Sequence, residues 1–333
     1  MRAVLVHPSP EGGSLELADV PDPRPAPGQV VIAVRAASVN RADLLMRRGS
    51  YAVPTAGAGA PVGGLDCAGE VLEVGEGVTG LEPGALVMSM ARGSYAERVA
   101  VDARFPVPLP PSWTFAQGAA SITGLMTEHD ALVTTAGLRS ADAVVINAAA
   151  SGVALQGVQL AAVLGAATVI AVLRRDRAEA RALLTELGAG HVLVAGAAGT
   201  FAEDVVAATG GRGADVVIDH VGGPWLAETM RCLAPYGRVV NIGRLGGGAG
   251  ELDLDALALK RARVIGSTFR IRDEAEIGGV VAALLEDVGD ALAEGRLRSP
   301  VDRVFSLDEA EAAHEHVARD GHLGKVVLEV GGQ

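Results

Sequence analysis

Hydrophobic and polar positions follow two different patterns along the chain. In the first third, short apolar runs rich in β-branched residues are separated by glycine and proline. They cover residues 3–6, 30–36, 68–74 and 85–90. Runs of this kind, bounded by turn-forming residues, predict β-strands. A proline-rich segment at 106–111 closes this region, which we therefore expect to be rich in β-structure.

From residue 143 onward the apolar runs alternate with longer segments of helical periodicity. The predicted strands are 143–146, 168–173, 192–194, 216–218 and 239–242, and the predicted helices are 153–164, 177–187, 200–208 and 225–233. Continuously apolar strands separated by helices predict βαβ units and a parallel sheet that is covered on both faces. Beyond residue 267 the chain becomes polar and helical, and it ends in one more predicted strand at 325–330.

Size and charge restrict the classes of partner. A chain of 333 residues favours two domains. Its net charge of −12 argues against nucleic acid and against an anionic membrane surface, because both attract basic proteins. No apolar run approaches the roughly 20 residues of a membrane helix, and the N-terminus lacks the apolar core of a signal peptide. These features predict a cytoplasmic protein that acts on small molecules.

A turn of small residues follows the strand at 143–146. It reads N-A-A-A-S-G-V-A over residues 147–154 and leads into an apolar helix. Small residues allow backbone amides and a helix N-terminus to approach a pyrophosphate. The same composition also suits simple packing of a helix on a strand, so the turn alone leaves both interpretations open.

The residues after the next strand favour a specific nucleotide. In NAD-binding folds an acidic residue about 20 positions beyond the glycines binds the ribose 2′-hydroxyl. In this chain the strand at 168–173 is followed by Arg174 and Arg175. Guanidinium groups bind phosphate in a bidentate manner, so this pair favours NADPH over NADH. The alternative is a solvated basic turn.

Several motifs, in this order and spacing, resemble the medium-chain dehydrogenase/reductase superfamily. They are S-V-N-R-A-D at 38–43, R-G-S-Y at 48–51, G-L-D-C-A-G-E-V at 64–71, D-H-V-G-G at 219–223, G-S-T-F-R at 266–270 and H-L-G-K-V-V-L at 322–328. The likeness is to the zinc-independent, zeta-crystallin-like quinone oxidoreductases. It implies an α/β fold in which a GroES-like domain, residues 1–122 and 268–333, receives an inserted Rossmann domain with a doubly wound parallel sheet, residues 123–267.

The turn and the arginine-bearing strand end also resemble the enoyl thioester reductases of the same superfamily. Relatives in the superfamily usually carry glycine where this chain has Ser151 and Ala154. Both replacements are small, so we expect the backbone still to approach the cofactor, with a slightly different pyrophosphate pose.

The resemblance also implies roles for individual residues. Tyr51 occupies the position of a proton-donating tyrosine in the enoyl thioester reductases, or else only shapes the pocket. Asn40 corresponds to a residue that lines the nicotinamide pocket. His129 is a candidate proton shuttle, the alternative being a histidine satisfied within its helix. The expected cofactor-binding residues are Asn40, Thr123, Ala150, Ser151, Gly152, Val153, Arg174, Arg175, Val221, Gly243, Phe269 and Lys325.

The sequence predicts no metal site. Zinc-dependent members of the superfamily place a cysteine near the N-x-x-D position and use a G-H-E segment, whereas this chain reads Asn40 to Asp43 and Gly64-Leu65-Asp66. A catalytic zinc typically needs three protein ligands. His314 and His316 are two residues apart on a predicted helix and so face different sides. Cys67 and Cys232 are predicted to be buried apolar residues, and Asp43 a structural hydrogen-bond anchor or a functional carboxylate.

These observations lead to one functional hypothesis and two alternatives. The first is an NADPH-dependent reductase of quinones or α,β-unsaturated carbonyl compounds. The alternatives are an enoyl thioester reductase of fatty-acid or polyketide assembly, and a crystallin-like protein that binds NADPH without redox activity. The strand near 263–266 is expected to form an open sheet edge, which predicts a homodimer joined sheet to sheet.

Overall fold

The computed structural model describes residues 1–51, 60–196, 199–319 and 321–331. The strands, numbered along the chain, are β1 (Arg2–His7), β2 (Ser14–Asp19), β3 (Gln29–Val39), β4 (Asp66–Val74), β5 (Leu86–Met90), β6 (Arg98–Asp102), β7 (Val107–Pro108), β8 (Ala143–Asn147), β9 (Thr168–Leu173), β10 (His191–Val194), β11 (Ala214–Asp219), β12 (Leu233–Asn241), β13 (Arg263–Gly266), β14 (Val301–Ser306) and β15 (Lys325–Glu329). The helices are α1 (Arg41–Arg47), α2 (Phe115–His129), α3 (Gly152–Val163), α4 (Ala178–Glu186), α5 (Ala202–Ala208), α6 (Trp225–Cys232), α7 (Leu254–Lys260), α8 (Glu274–Ala293) and α9 (Ala310–Ala318).

The chain divides into two compact units. Unit 1 comprises Met1–Thr123, Arg272–Leu285 and Leu292–Gln333, and unit 2 comprises Gly124–Ile271 and Glu286–Ala291. The domain boundaries expected from the sequence remain a prediction.

Unit 1 is built around the long strand β3, which is buried over most of its length. The strand pairs antiparallel with β4, β6 and β15, within a sheet of order β14-β15-β3-β4-β5-β7. Strands β1 and β2 form a separate antiparallel pair. Alternate residues of β3, including Val30, Ile32 and Val34, enter one apolar core with Val326 and Leu328 of β15. The two ends of the chain therefore meet in one β-rich unit, as the resemblance implied.

Unit 2 contains a parallel sheet of six strands in the order β10-β9-β8-β11-β12-β13. The chain runs outward from β8 to β10 on one side and from β11 to β13 on the other, so the strand order reverses between β8 and β11. Because crossovers are right-handed, the helices of the two halves cover opposite faces. Every residue of β8 is buried, which explains its continuously apolar sequence. This sheet confirms the predicted doubly wound α/β fold.

Four strands were not predicted from the sequence. β2 and β14 consist of exposed and partly exposed residues, and β6 alternates buried with partly exposed residues. Each of these three strands carries two charged residues, so none of them forms an apolar run. β7 is only two residues long and lies in the proline-rich segment. The helical segment that begins at Phe115 is not uniformly α-helical. After α2 it widens into a π-helical turn, Asp130–Thr135, in which the amide of Ala136 donates to the carbonyl five residues back, at Ala131. Within the described part of the chain, no helix has the length and apolar character that crossing a bilayer requires.

Candidate functional site

The small-residue turn links β8 to α3 in a tightly constrained conformation. Ala148 has a positive φ of 48°, and the amide of Ala149 donates to the carbonyl of Val172 in β9 at 3.1 Å. Ser151 is the N-cap of α3, and its Oγ accepts a hydrogen bond of 3.3 Å from the amide of Ala154. The serine that stands in place of a glycine therefore stabilises the helix start.

This cap leaves part of the helix N-terminus available. The first amides of an α-helix have no partner within the helix, and here Ser151 satisfies only the amide of Ala154. The amides of Gly152 and Val153 remain oriented along the helix axis, where they and the helix dipole favour an anion. The turn thus offers backbone donors suited to a pyrophosphate.

The predicted cofactor-binding residues of unit 2 lie along one edge of its sheet. Each group comes just after the carboxyl end of a neighbouring parallel strand: Ala150, Ser151, Gly152 and Val153 after β8, Arg174 and Arg175 after β9, Val221 after β11, Gly243 after β12 and Phe269 after β13. Both arginines are exposed, whereas Val221 is buried. In open α/β sheets the carboxyl edge at the reversal of strand order is where ligands bind.

Asp219, at the end of β11, holds this edge together. Its Oδ1 accepts from the Nδ2 of Asn147 at 2.7 Å and from the amides of Val221 and Gly222 at 3.0 and 2.9 Å. Its Oδ2 accepts from the Nδ2 of Asn241, at the end of β12, at 2.9 Å. Asp219 is fully buried, so these donors offset the cost of burying its carboxylate. The carboxyl ends of β8, β11 and β12 are fixed to one side chain.

Three consecutive titratable residues at the end of α2 each reach a different element of unit 2. Oε1 of Glu128 lies 2.9 Å from Nε2 of His220, which follows β11. Nε2 of His129 lies 2.8 Å from Oδ2 of Asp287 in α8. Asp130 accepts a hydrogen bond of 3.1 Å from Ser267. The candidate shuttle His129 is fully buried and is paired with Asp287, and its role stays a prediction.

Unit 1 brings two other predicted residues together in a buried polar cluster. Lys325 Nζ donates to Oδ1 of Asn40 at 2.5 Å and lies 3.8 Å from Oδ2 of Asp66. Asn40 Nδ2 donates to the same Asp66 Oδ2 at 3.0 Å, and Ser38 donates to Asp66 Oδ1 through its hydroxyl at 2.7 Å. Burial lowers the pKa of Lys325, although the neighbouring carboxylates Asp66 and Asp43 oppose this shift. The cluster therefore fixes the orientation of the Asn40 amide.

Asp43 lies beside this cluster and is itself fully buried. Its Oδ2 accepts from the backbone amide of Asn40 at 2.7 Å and from the hydroxyl of Tyr95 at 3.1 Å. Burial raises the pKa of Asp43 to about 7, opposed by the Asn40 hydrogen bond. These contacts agree with the predicted hydrogen-bond anchor.

Two further predicted residues belong to unit 1. Tyr51 is half-buried and directly precedes residues 52–59, which lie outside the described ranges. The Oγ1 of Thr123 is buried and, within the described residues, has no hydrogen-bond partner.

The two cysteines and the histidines His314 and His316 have the surroundings expected from the sequence. Cys67 and Cys232 are free and buried, as predicted. His314 is buried against Tyr95 whereas His316 pairs with Asp302, so the two face different surroundings as expected. Across the described residues, no group of three or more His, Cys, Asp or Glu side chains is arranged to hold a metal ion. The absence of a metal requirement stays a prediction.

Sequence reasoning missed several residues that organise both sites. Asp66 and Asp219 stand in the segments quoted for the resemblance, but neither was assigned a role. For Asp219 the usable signal was an acidic residue at the end of an apolar strand, since a charge there needs several donors. Asp66, at the start of β4, gave no such signal. The partners Tyr95, His220 and His314 are distant in sequence and gave no such signal.

Two family models match the chain. The model described as "Alcohol dehydrogenase GroES-like domain" covers residues 26–111, and the model described as "Zinc-binding dehydrogenase" covers residues 187–328. The first agrees with the GroES-like character expected for the β-rich part of the chain.

Individual proteins extend the likeness. The chain is 35% identical over 304 residues to the spectinabilin polyketide synthase system protein NorB of Streptomyces orinoci, a match covering 91% of this chain and 13% of that protein. This chain thus spans only a small part of that relative's length. Among solved structures, a probable oxidoreductase from Mycobacterium abscessus is 30% identical, with a TM-score of 0.80 and coverage of 99% of this chain and 98% of the other.

Two mycobacterial structures are similar over the same extent. One, solved in complex with NADPH, has a TM-score of 0.85 at 28% identity, covering 99% of this chain and 100% of the other. The other, a quinone oxidoreductase, has a TM-score of 0.83 at 28% identity and covers 99% of both chains.

Proposed function

Because the chain belongs to the medium-chain dehydrogenase/reductase superfamily and is an oxidoreductase of that group, we propose that it reduces quinones or α,β-unsaturated carbonyl compounds with NADPH. The observation that carries this proposal is the arrangement along the carboxyl edge of the unit 2 sheet. There a small-residue turn, a helix N-terminus and two exposed arginines follow adjacent strands.

The residues at this edge fit NADPH in charge and in donor type. The amides of Gly152 and Val153 suit the pyrophosphate, and the guanidinium groups of Arg174 and Arg175 suit a phosphate on the ribose. An acidic residue in their place would repel that phosphate. The similar mycobacterial structure that contains NADPH supports this choice of cofactor.

NADPH, when bound, supplies a hydride. The chain has to orient the acceptor, polarise its carbonyl oxygen and deliver a proton. We assign Asn40 and Lys325 to the nicotinamide pocket by resemblance, and their mutual hydrogen bond of 2.5 Å gives the Asn40 amide a fixed orientation. Tyr51 is assigned either as a hydrogen-bond donor to the carbonyl oxygen or as a residue that shapes the pocket.

The similarity to a polyketide synthase favours a second candidate, an enoyl thioester reductase. Enoyl thioester reduction is expected in fatty-acid and in polyketide assembly. Its chemistry differs from that of enone reduction only in the thioester sulfur beside the carbonyl carbon. The substrate would then be an acyl chain on a carrier or on coenzyme A.

An absorbance assay at the NADPH band tests both candidates with one panel of quinones, enones and enoyl thioesters. We expect turnover of at least one class with NADPH, and much less with NADH at the same concentration. Highest kcat/KM on an enoyl thioester selects the second candidate. Tight NADPH binding without turnover of any compound would overturn both, leaving the redox-silent alternative.

A further inference from the structure

Glu128 and His220 form a buried acid–imidazole pair that the proposed chemistry has not used. Glu128 is fully buried and His220 is 5% exposed. Their Oε1 and Nε2 atoms are 2.9 Å apart, but the contact lies off the axis of a hydrogen bond. Over the described ranges, both Glu128 oxygens and this nitrogen consequently have no hydrogen-bond partner. Such a group is costly to bury, so its presence at this place calls for a role.

The helix that carries the nucleotide turn has a gap for this carboxylate. A Cβ on Gly157 of α3 would lie 2.3 Å from Oε2 of Glu128 and 2.7 Å from its Cδ. Glycine leaves room for the carboxylate in the position it occupies, although glycine in a helix interior costs about 1 kcal/mol relative to alanine. A buried carboxylate and a glycine inside a helix, each unfavourable by itself, therefore lie against each other, and the glycine makes space for the carboxylate.

His220 stands where the strand order of the sheet reverses. It directly follows β11, and its backbone amide donates to Oδ1 of Asn147 at the end of β8 at 2.7 Å. It also lies between two predicted cofactor contacts. Val221 is the next residue, and a Cβ on Gly243 would come 2.3 Å from the His220 carbonyl oxygen. Two carboxylates are adjacent to His220, Glu128 from α2 and Asp219 from its own strand.

We propose that His220 donates the proton that completes the reduction, with Glu128 as its positioning residue. This inference rests on the proposed reductase function. Hydride adds to the β-carbon of the conjugated acceptor, and the electron pair of the double bond moves toward the carbonyl oxygen, giving an enolate. The imidazolium N–H bond of His220 then breaks, and its proton goes to the enolate to form the saturated carbonyl compound. In a quinone the hydride adds to one carbonyl oxygen to give the hydroquinone monoanion, and the proton goes to its other oxygen. Solvent reprotonates the neutral imidazole.

Glu128 fixes which nitrogen can act. Its carboxylate lies 2.9 Å from Nε2, so its negative charge favours a proton on that nitrogen through ion pairing. The His220 side chain is 7% exposed and Nε2 is buried, so the remaining contact with solvent belongs to the other ring atoms. Nδ1 is therefore the donor. A carboxylate behind an imidazole orients the ring in the same way in other carboxylate–histidine pairs.

The test compares His220→Gln and Glu128→Gln with His316→Gln. His316 belongs to unit 1 and pairs with Asp302 at 2.7 Å, so its variant is a matched loss of a carboxylate-paired histidine to which the proposal gives no role. Steady-state kinetics as a function of pH are measured with NADPH and the best substrate of the panel. NADPH affinity is measured separately by fluorescence titration.

For His220→Gln we expect kcat to fall about 100-fold, the low end of general acid contributions, with NADPH affinity unchanged within about twofold. Its pH–rate profile should become flat on the alkaline side. Glu128→Gln should lower kcat about 10-fold and displace the same profile, because the imidazole loses its orienting charge. His316→Gln should match the wild type in kcat and in its pH–rate profile.

A His220→Gln enzyme with kcat within about threefold of wild type and an unaltered profile overturns the inference while the reductase function stands. If that variant does not fold, as judged by its melting curve, Glu128→Gln decides in the same way. Absence of turnover in the wild type overturns the proposed function, and the inference with it.

Discussion

Asp43 and His314 share one partner, the hydroxyl of Tyr95, which lies 3.1 Å from Oδ2 of Asp43 and 3.2 Å from Nε2 of His314. All three side chains are buried in unit 1. Burial raises the pKa of Asp43 from 3.8 to about 7 and lowers the pKa of His314 from 6.5 to about 4. Desolvation disfavours the charged form of each group, so both titrations act on stability over nearly the same pH range, in opposite directions.

Asp43→Asn should remove the pH-dependent contribution of Asp43 to the free energy of unfolding. Because the folded-state pKa of Asp43 is raised, its contribution is fully present below pH 3.8 and is lost as the pH rises through about 7. The stability of the wild type relative to the variant should therefore fall by about 4 kcal/mol between pH 4 and pH 8. Urea unfolding across this range measures the difference, and a constant difference would contradict the assignment.

His314→Gln should show the opposite trend. Its folded-state pKa is lowered, so its contribution is present above pH 6.5 and is lost as the pH falls through about 4. The stability of the wild type relative to this variant should rise by about 3 kcal/mol from pH 4 to pH 7. The same urea series measures it. A parallel trend in both variants would show that the two groups do not titrate as described.

Arg174→Ala with Arg175→Ala tests the choice of nucleotide. Loss of charged hydrogen bonds to the ribose phosphate should weaken NADPH binding by about 2–3 kcal/mol, or about 30- to 150-fold. NADH lacks that phosphate, so its affinity should stay nearly constant. Fluorescence titration with both nucleotides measures this. Arg303→Ala with Arg319→Ala, two exposed arginines of unit 1, is the control. Unchanged NADPH affinity in the first double variant would refute the assignment.

Lys260→Met tests a contact that closes α6. The Nζ of Lys260 donates to the carbonyls of Met230, Arg231 and Leu233, at 2.9, 2.6 and 2.8 Å. Methionine keeps the apolar stem but leaves these carbonyls without the cation, which should lower the free energy of unfolding by about 2 kcal/mol. Lys260→Arg, which retains charge and donors, should lose less. If the free energy of unfolding falls by less than about 0.5 kcal/mol, as for an ordinary surface position, Lys260 does not stabilise the end of α6.

The edge strand β13 tests the expected homodimer. β13 pairs with β12 on one side, and its residue Val264 is 40% exposed. We propose that this edge joins two copies sheet to sheet. Gel filtration with light scattering should give twice 33.7 kDa for the wild type and 33.7 kDa for Val264→Glu. Leu17→Glu, at a residue that is 41% exposed on β2, should remain dimeric. A monomeric wild type would contradict the proposal.

The bounds of strands and helices were predicted most accurately where the local apolar pattern agrees with the burial of the residues in the fold. β9 was predicted with its observed bounds, because all its residues but the first are buried and its apolar run is uninterrupted. The neighbouring helix α3 was predicted within one residue at each end from its apolar sequence, and the structure adds that Ser151 caps its start. The sheet edge that carries the predicted nucleotide residues followed from these elements alone.

The remainder depended on contacts between distant positions. The pairing of Glu128 with His220, or of Tyr95 with His314, joins residues about 92 and 219 positions apart, and no local pattern encodes it. β14 was missed because its V-D-R-V-F-S sequence has neither an apolar run nor regular alternation, and the strand forms by pairing with β15. The π-helical turn after α2 has no sequence signature, since it depends on how the following residues pack.

The close approach of Gly157 to Glu128 has an evolutionary consequence. Because a Cβ at position 157 would overlap the carboxylate where it now lies, a side chain at 157 requires Glu128 to move or to be replaced. In homologues with a side chain at 157, we expect a shorter residue at 128, and in those that keep glutamate we expect glycine. Covariation of positions 128 and 157 among homologues would thus show which lineages retain the buried Glu128–His220 pair and which have lost it.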